Sequence, residues 1–240
     1  MKNVSPICYL CGQPHGGKFN HDHVPPKQLS TKKLRNKHNL NLFWLPTHES
    51  CNKSYQHDED YFVYSLMPFA RGSYSGDALR AKILDDCRHD QQKSLLQKGL
   101  REFERRPSGL ILPPGVVVKR FDGDRIPRVA WKIVRGLIFH HYGIFLEEGT
   151  PTHCKIVPPD QPPPLPFPLL LLYDNPINRN YEGVFEYSFG SVPEKHNMNY
   201  CALLLWDRLT IIMNYQYPPC DCLQCHERFG TPHCDHKLSM

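Results

Sequence analysis

Two short pairs of metal-ligand residues near the N-terminus constrain the fold of this 240-residue chain more than any other feature. Cys8 and Cys11 form the first pair, and His48 and Cys51 form the second. Two residues separate the ligands of each pair, and at this spacing both side chains of a tight turn can reach one tetrahedral zinc ion. The four residues therefore predict a closed, structural Cys₃His zinc site that joins two distant loops.

Metal binding explains the cysteine content better than disulfide bonds do. The chain has 10 cysteines, but its N-terminus lacks the apolar segment of a signal peptide. The most apolar stretch, residues 165–173, is interrupted by Pro166 and Pro168 and is too short to span a bilayer. We expect a soluble, cytoplasmic protein with no membrane partner. Its net charge of +5 permits an anionic polymer as a partner without requiring one.

An Asp-His dipeptide lies between the two ligand pairs. A structural zinc site does not need Asp22 and His23, whereas a metal-dependent nuclease needs an oxygen ligand for Mg²⁺ and an imidazole that can deprotonate water. Pro25 and Pro26 follow and should keep this segment extended. Asn52 comes directly after the second ligand pair. Closure of the zinc site is expected to bring the aspartate, the histidine and the asparagine to one place.

Together these residues resemble the motifs of the HNH endonucleases, whose core is a zinc-knuckled ββα-metal module. The resemblance covers about residues 5–63 and is carried by Cys8-x-x-Cys11, Asp22-His23-Val24-Pro25-Pro26 and His48-x-x-Cys51-Asn52.

The resemblance implies an endonuclease that hydrolyses phosphodiester bonds of DNA with one divalent metal. In such an enzyme Asp22 would bind the catalytic Mg²⁺ or Mn²⁺, His23 would be the general base, and Asn52 would bind or orient the metal. The alternative is a zinc-stabilised nucleic-acid-binding module without catalysis. RNA, single strands and branched DNA remain possible substrates, because all of them share the same reactive phosphate. A homodimer is also possible, since two active modules related by a two-fold axis would cut both strands.

The family's middle asparagine has two candidates in this chain. Asn39 and Asn41 compete for that role, and we favour Asn41. His21 and His57 are further metal-ligand candidates, because imidazole binds several divalent metals. His57 and Glu59 could instead be solvated residues of a helix.

Basic residues are concentrated between the Asp-His dipeptide and the second ligand pair. Such a run is usually a solvated loop, but here it would lie beside the scissile phosphate and contact the nucleic-acid backbone. No base-reading motif accompanies it. The predicted substrate-binding residues are Lys27, Lys32, Lys33, Arg35 and Lys37.

A second group of soft metal ligands lies near the C-terminus. It could form another zinc site, although its spacing is not diagnostic and terminal segments are often disordered. Its candidate ligands are Cys220, Cys222, Cys225, Cys234 and His236.

The pattern of apolar residues predicts an α+β fold. An N-terminal ββα-metal (HNH) module with structural zinc would occupy residues 1–68, a mainly helical region 69–150, and a β-rich region 151–240. Helices are predicted from near residue 52 to 68, as one long helix over 75–107, and over 127–149. Strands are predicted at 110–112, 116–119, 169–173, 184–189, 200–206 and 209–217, with a hairpin turn at Trp206-Asp207-Arg208-Leu209.

Overall fold

The fold of the chain comes from a computed structural model. The structure describes residues 7–16, 18–38, 40, 42–89, 93–104, 112–113, 117–159, 178–181, 183–192 and 195–217. These residues form both helices and strands, which confirms the α+β class. Within the described ranges, every helix is too short or too polar to cross a bilayer.

An antiparallel strand pair followed by a helix lies at the N-terminal end. Strand β1 (Asn20–Val24) pairs with strand β2 (Phe43–Thr47). The sequence indicated that the basic segment between these strands is a loop. The segment instead contains the short helix α1 (Lys32–Lys37). Thr31 caps α1 by accepting a hydrogen bond from the backbone N–H of Leu34 at 3.1 Å.

Helix α2 (Glu49–Leu66) follows β2 directly and begins slightly earlier than predicted. His48 is its N-cap, so Asn52 lies within the first turns of the helix. The helix continues into a short 3₁₀ helix, Met67–Ala70, in which Pro68 occupies one of the first positions.

The predicted long helix over 75–107 is two separate helices. Helix α3 (Tyr74–Arg88) and helix α4 (Lys93–Arg101) flank residues 90–92, which lie outside the described ranges. Gly99 of α4 packs against α2, where a Cβ atom would lie 3.4 Å from the carbonyl oxygen of Tyr64. Helix α4 therefore packs against α2, a tertiary contact that the apolar stripe of the sequence could not show.

A small two-stranded sheet follows α4. Strand β3 (Phe103–Glu104) pairs with strand β4 (Val118–Lys119). Phe103, which the sequence placed on the long helix, is therefore in a strand. The predicted strand at 116–119 is present as β4, whereas most of the one predicted at 110–112 lies outside the described residues.

Helix α5 (Arg125–Tyr142) ends earlier than residue 149, the predicted end. Gly143 adopts a left-handed conformation with φ of 67°, and its N–H donates to the carbonyl of Phe139 at 3.0 Å. Phe145 therefore leaves the helix and packs against Gly12, where an added Cβ would lie 2.9 Å from the Phe145 ring. The sequence analysis missed this glycine cap.

The C-terminal part forms a five-stranded antiparallel sheet with the order β5-β9-β8-β7-β6. The strands predicted at 184–189, 200–206 and 209–217 are present with shifted ends, and the one predicted at 169–173 lies outside the described residues. The strands are β5 (Thr152–Val157), β6 (Asn178–Tyr181), β7 (Phe185–Val192), β8 (Lys195–Leu205) and β9 (Leu209–Gln216).

The predicted hairpin turn between β8 and β9 is confirmed. Trp206 and Asp207 have φ angles of 55° and 54°, and two consecutive positive values define a type I′ turn. Neither residue is a strong former of this turn. Burial compensates, because the Trp206 indole N–H donates to the carbonyl of Leu29 at 2.8 Å inside the protein. The sheet is thereby connected to the segment that follows β1.

One hydrophobic cluster contains residues of the N-terminal strand pair, the helices and the C-terminal sheet. Its fully buried members include Tyr9, Tyr61, Val134, Leu203 and Trp206. Helix α5 lies centrally in this core and contacts α2, β1, β5 and β9. The residues that carry the N-terminal motifs are therefore positioned by side chains from the rest of the chain.

Candidate functional site

The four predicted zinc ligands come together in the structure. The ligand atoms of Cys8, Cys11, His48 and Cys51 all lie within 4.8 Å of one another. The Nδ1 atom of His48 is 3.3 Å from the sulfur of Cys11 and 3.8 Å from that of Cys51. The predicted Cys₃His cluster is thus confirmed as a group that could bind a metal such as zinc.

Backbone hydrogen bonds of the first loop shape this cluster. The N–H of Gly12 donates to the carbonyl of Cys8 at 2.8 Å, and Gly12 itself has a positive φ of 72°. On the other side, Nε2 of His48 lies 3.2 Å from the carbonyl oxygen of Pro14. Because a carbonyl only accepts, Nε2 carries the proton and Nδ1 presents its lone pair to the cluster, as a metal ligand requires.

The chemistry of the donor set fits a bound cation. Burial raises the pKa of the Cys51 thiol to about 12, and the neighbouring Cys8 and Cys11 raise it as well. Three thiolates this close repel one another, so a divalent cation is needed to keep them deprotonated. Zinc would be held by all four residues with no position left for substrate, which makes its role structural.

Arg135 of α5 holds the loop that carries the first ligand pair. Its guanidinium is buried and donates to the backbone carbonyl of Leu10, and its Nε donates to that of Leu146 at 2.7 Å. The sequence analysis assigned no role to this arginine, because it lies within an apolar helix. The presence of a charged residue within an apolar helix could have indicated this role, because a buried charge must be bound to polar partners.

A second feature is a cleft of about 320 Å³ beside β1 and the first turns of α2. Asp22, His23 and Asn52 all line it, as do Lys27 and Glu59. Asn52 and Glu59 are seven residues apart and therefore lie on the same face of α2. The three residues predicted to form the catalytic site thus share one cavity.

The remaining predicted metal ligands and the middle asparagine differ in their relation to the cleft. His57 is exposed and is not among the residues that line the cleft, because it occupies another face of α2. His21 does line the cleft. Both candidates for the middle asparagine, Asn39 and Asn41, lie outside the described residues. The same is true of the candidate ligands near the C-terminus, which are Cys220, Cys222, Cys225, Cys234 and His236.

The carboxylate of Asp22 is bound by other side chains of the protein, and the residue is only 4% exposed. The hydroxyl of Tyr9 donates to its carboxylate at 2.5 Å, and the ammonium group of Lys132 lies 2.9 Å away. These two contacts fix the carboxylate, and the ammonium group, which Asp22 shares with Glu59, balances part of its charge. Asp22 nevertheless remains part of the cleft lining, so the carboxylate borders the cavity that contains His23.

Lys132 is 1% exposed and also forms an ion pair with Glu59 of α2. Burial raises the pKa of Glu59 to about 6, although the nearby lysine lowers it. The expectation of a solvated Glu59 was wrong, because the side chain is turned into the interior. The sequence analysis gave Lys132 no role, since the residue that it meets on β1 is 110 positions away in the chain.

His23 is half-buried at the cleft and has an unusually low pKa. Burial and the positive charge of Lys27 lower its pKa to about 4, and Asp22 opposes this only in part. Its imidazole is therefore neutral at neutral pH, which is the form that can accept a proton.

The predicted substrate-binding residues have different surroundings. Lys27 lines the cleft. Arg35 donates to two backbone carbonyls of the preceding turn, at 2.6 and 2.8 Å, and so stabilises the loop after β1. Lys37 donates to the hydroxyl of Tyr74 at 2.8 Å. The two remaining residues of this set are exposed on α1: Lys32 and Lys33.

A catalytic metal in the cleft would have few protein ligands. Among the described residues, the Cys₃His cluster is the one group of three or more histidine, cysteine or acidic side chains close enough to share a metal. Mg²⁺ tolerates such sites, because it usually keeps several waters and binds one or two carboxylates together with substrate phosphates. The carboxylate of Asp22 and the side-chain oxygen of Asn52 are ligands of the kind it prefers.

Comparisons of the chain with protein-family models, with curated proteins and with solved structures found no match. The functional assignment therefore depends on the chemistry of the cleft and of the Cys₃His cluster.

Proposed function

We propose that the chain is a metal-dependent phosphodiesterase of the HNH type that cuts DNA. The observation that carries the proposal is that Asp22, His23 and Asn52 line one cleft beside the Cys₃His cluster. The order of β1, β2 and α2 is also the order of elements in a ββα-metal module. Lys27, in the same lining, supplies a positive charge for a phosphate group.

In this proposal each residue of the cleft has a distinct role. The neutral imidazole of His23 accepts a proton from water, and the resulting hydroxide attacks the phosphorus of the scissile bond. The bond between phosphorus and the 3′ oxygen breaks, and the leaving oxygen takes up a proton from solvent. Asp22 and Asn52 would hold a divalent cation, and the bound cation would neutralise the negative charge that develops on the phosphate. Tyr9 and Lys132 keep the carboxylate of Asp22 in a fixed orientation.

The test compares the wild type with His23→Ala on supercoiled plasmid and on a labelled single-stranded DNA oligonucleotide, in buffers containing Mg²⁺ or Mn²⁺. His57→Ala is the matched control, because His57 is an exposed histidine of α2 outside the cleft. Loss of a general base lowers the rate on the order of 10²-fold or more, so nicking should disappear with His23→Ala and persist with His57→Ala. Zinc content should be the same in all three proteins. Equal cleavage by His23→Ala, or no cleavage of either DNA substrate by the wild type with either metal, contradicts the proposal.

The alternative function is a zinc-stabilised nucleic-acid-binding module without catalysis. The contact between Asp22 and Lys132 favours it, since a carboxylate that is already paired with an ammonium group attracts Mg²⁺ less strongly. In this case the wild type binds DNA but leaves the plasmid intact with every metal. Lys132→Met cannot decide between the two functions, because the same substitution also weakens the fold.

A further inference from the structure

A group of aromatic rings is exposed on the strand pair beside the cleft. Phe19 and Trp44 are 38% and 39% exposed. The ring of His21 stacks on that of Trp44, with centroids 3.9 Å apart and planes 28° apart. The ring of Phe19 is almost parallel to that of Trp44, with centroids 6.2 Å apart. We call Phe19, His21 and Trp44 the aromatic platform.

The platform and His23 share one face of the strand pair. Trp44 lies directly opposite His23 in the antiparallel register, and His21 is two residues before His23 in the same strand. Side chains alternate between the two faces of a strand, so these three point to the same side. Asp22 and its partner Leu45 alternate with these residues and are buried, so the carboxylate of Asp22 borders the cleft from the interior side.

The hydrophobic core does not explain the exposure of Trp44. The chain has three tryptophans, all within the described residues, and both Trp131 and Trp206 are buried in the core. Large rings left exposed together, next to a polar cleft, are typical of a binding surface. Stacked aromatic side chains on such a surface offer flat faces to other flat molecules.

The charges around the platform favour an anionic ligand. The two carboxylates of the adjacent cleft, Asp22 and Glu59, are both paired with Lys132. Lys27 lines the same cleft and is exposed. Lys32 is also exposed, at the start of α1. A ligand with flat rings on a negatively charged chain matches both features, and a nucleic-acid strand is such a ligand.

We propose that the aromatic platform binds unpaired bases of a nucleic-acid strand whose phosphates follow Lys27 into the cleft. Bases in a duplex are stacked on one another and do not present their faces, so the platform selects single-stranded or locally unpaired nucleic acid. The inference deepens the proposed function by naming its substrate class. It depends on that function only in taking nucleic acid as the ligand, because stacking does not require cleavage.

Tryptophan fluorescence provides a direct test, because Trp44 is the one exposed tryptophan of the three. The His23→Ala background in metal-free buffer prevents cutting during titration with an oligothymidylate and with a duplex of equal length. The single strand should quench the fluorescence, and the duplex should not. Trp44→Phe, added to this background, should remove the quenching but keep binding of a labelled strand, since phenylalanine also stacks.

The affinity of variants then tests the energetic contribution of the platform. Trp44→Ala should weaken binding of the single strand about tenfold, which is the size expected for one lost stacking contact. Tyr142→Ala, which removes another exposed aromatic ring from a different surface, should leave the affinity unchanged. Unchanged binding by Trp44→Ala, equal affinity for the two oligonucleotides, or no binding of either overturns the inference.

The binding test of the platform and the cleavage test of the proposed function can fail independently of each other. A tenfold loss with Trp44→Ala, together with no cleavage of either the plasmid or the single-stranded oligonucleotide, supports the platform and contradicts the nuclease. Plasmid nicking that requires His23, together with unchanged binding by Trp44→Ala, supports the nuclease and overturns the platform.

Discussion

Lys132 is the residue on which the interior of the candidate site depends most. Its ammonium group meets the carboxylate of Asp22 on β1 and that of Glu59 on α2, and all three side chains are buried. A buried charge is tolerated only when it is paired and hydrogen-bonded. The lysine therefore joins three elements of the chain and pairs with two acidic groups beside the cleft.

Replacing this lysine should destabilise the protein strongly. In Lys132→Met the two carboxylates lose their counter-charge, and we expect the free energy of unfolding to fall by about 3 kcal/mol. Lys82→Met is the control, because Lys82 forms an exposed ion pair with Asp86 on α3, and its loss should change stability by less than about 1 kcal/mol. Urea denaturation followed by circular dichroism measures both. Similar midpoints for the two variants would show that the buried network contributes little.

At the scale of elements, the contact between α5 and β1 is unusually close. A Cβ atom on Gly136 would lie 2.7 Å from Cγ2 of Val24 and 3.3 Å from the ring of Tyr9. Val24 and Tyr9 are themselves buried and have little room to move. Glycine at this position therefore allows α5 to approach the strand that carries Asp22 and His23.

Substitution by alanine should have different effects on stability at two helical glycines, Gly136 and Gly99. Alanine is the better helix former by about 1 kcal/mol, but in Gly136→Ala the clash with Val24 should outweigh this gain and lower the free energy of unfolding by about 1 to 3 kcal/mol. In Gly99→Ala the nearest atom is an ordinary 3.4 Å away, so stability should stay constant or rise. Thermal melting curves compare the two variants. A more stable Gly136→Ala protein would rule out the close packing of α5 on β1.

Glu102 connects α2, the end of α4 and β4. The hydroxyls of Tyr61 and Ser65 donate to its carboxylate at 2.5 and 2.6 Å, and the ammonium group of Lys119 is 2.7 Å away. Burial alone would raise the pKa of this carboxyl, but the hydrogen bond from Lys119, with those from the two hydroxyls, holds the pKa below its ordinary value.

The lowered pKa of Glu102 predicts a pH dependence of stability. A carboxyl with a lower pKa in the folded state stabilises the fold above its unfolded pKa, and this contribution is lost as the pH falls through the folded value. Glu102→Gln should therefore be less stable than the wild type at neutral pH, and the difference should shrink between about pH 5 and pH 3. Urea denaturation across this range measures it. The exposed Glu147→Gln serves as the control, and a constant difference for Glu102→Gln would contradict the prediction.

At the scale of the whole molecule, the Cys₃His cluster is connected to the core rather than appended to it. Arg135 binds the loop of the first ligand pair, and Phe145 packs against Gly12 of the same loop. Trp206 connects the C-terminal sheet to Leu29, in the segment between the two ligand pairs. Loss of the metal should therefore affect residues far from it.

Breaking the cluster should lower the stability of the entire fold. We expect Cys11→Ser to reduce the bound zinc and to lower the melting temperature in one cooperative transition, because the core is shared. Cys87→Ser, which changes a cysteine of α3 outside the cluster, should melt like the wild type. Fluorescence of the buried Trp131 and Trp206 reports on the distant part. If that signal melts at the wild-type temperature in Cys11→Ser, the two parts are independent.

Local signals were sufficient to predict much of the N-terminal site. Two-residue spacing identified the ligands of the Cys₃His cluster, since a tight turn presents both side chains to one point. A hairpin turn at Trp206 was also predicted from its neighbours along the chain, whereas its type became evident only from the φ angles. The end of α5 was missed although Gly143 was visible, because the apolar pattern continued to Phe145 for a different reason, namely packing on Gly12.

The sequence by itself determined the four ligands of the Cys₃His cluster and the approximate positions of several helices and strands, because ligand spacing and apolar periodicity are local properties. It did not determine helix α1, the division of the helix predicted over 75–107, or strands β3, β5 and β6. Only the tertiary structure decided that Lys132 lies between Asp22 and Glu59, that Arg135 holds the first ligand loop, and that Trp44 is left exposed. These contacts join positions that are far apart in the chain. They depend on how α5 packs against the strand pair, and no local pattern encodes that packing.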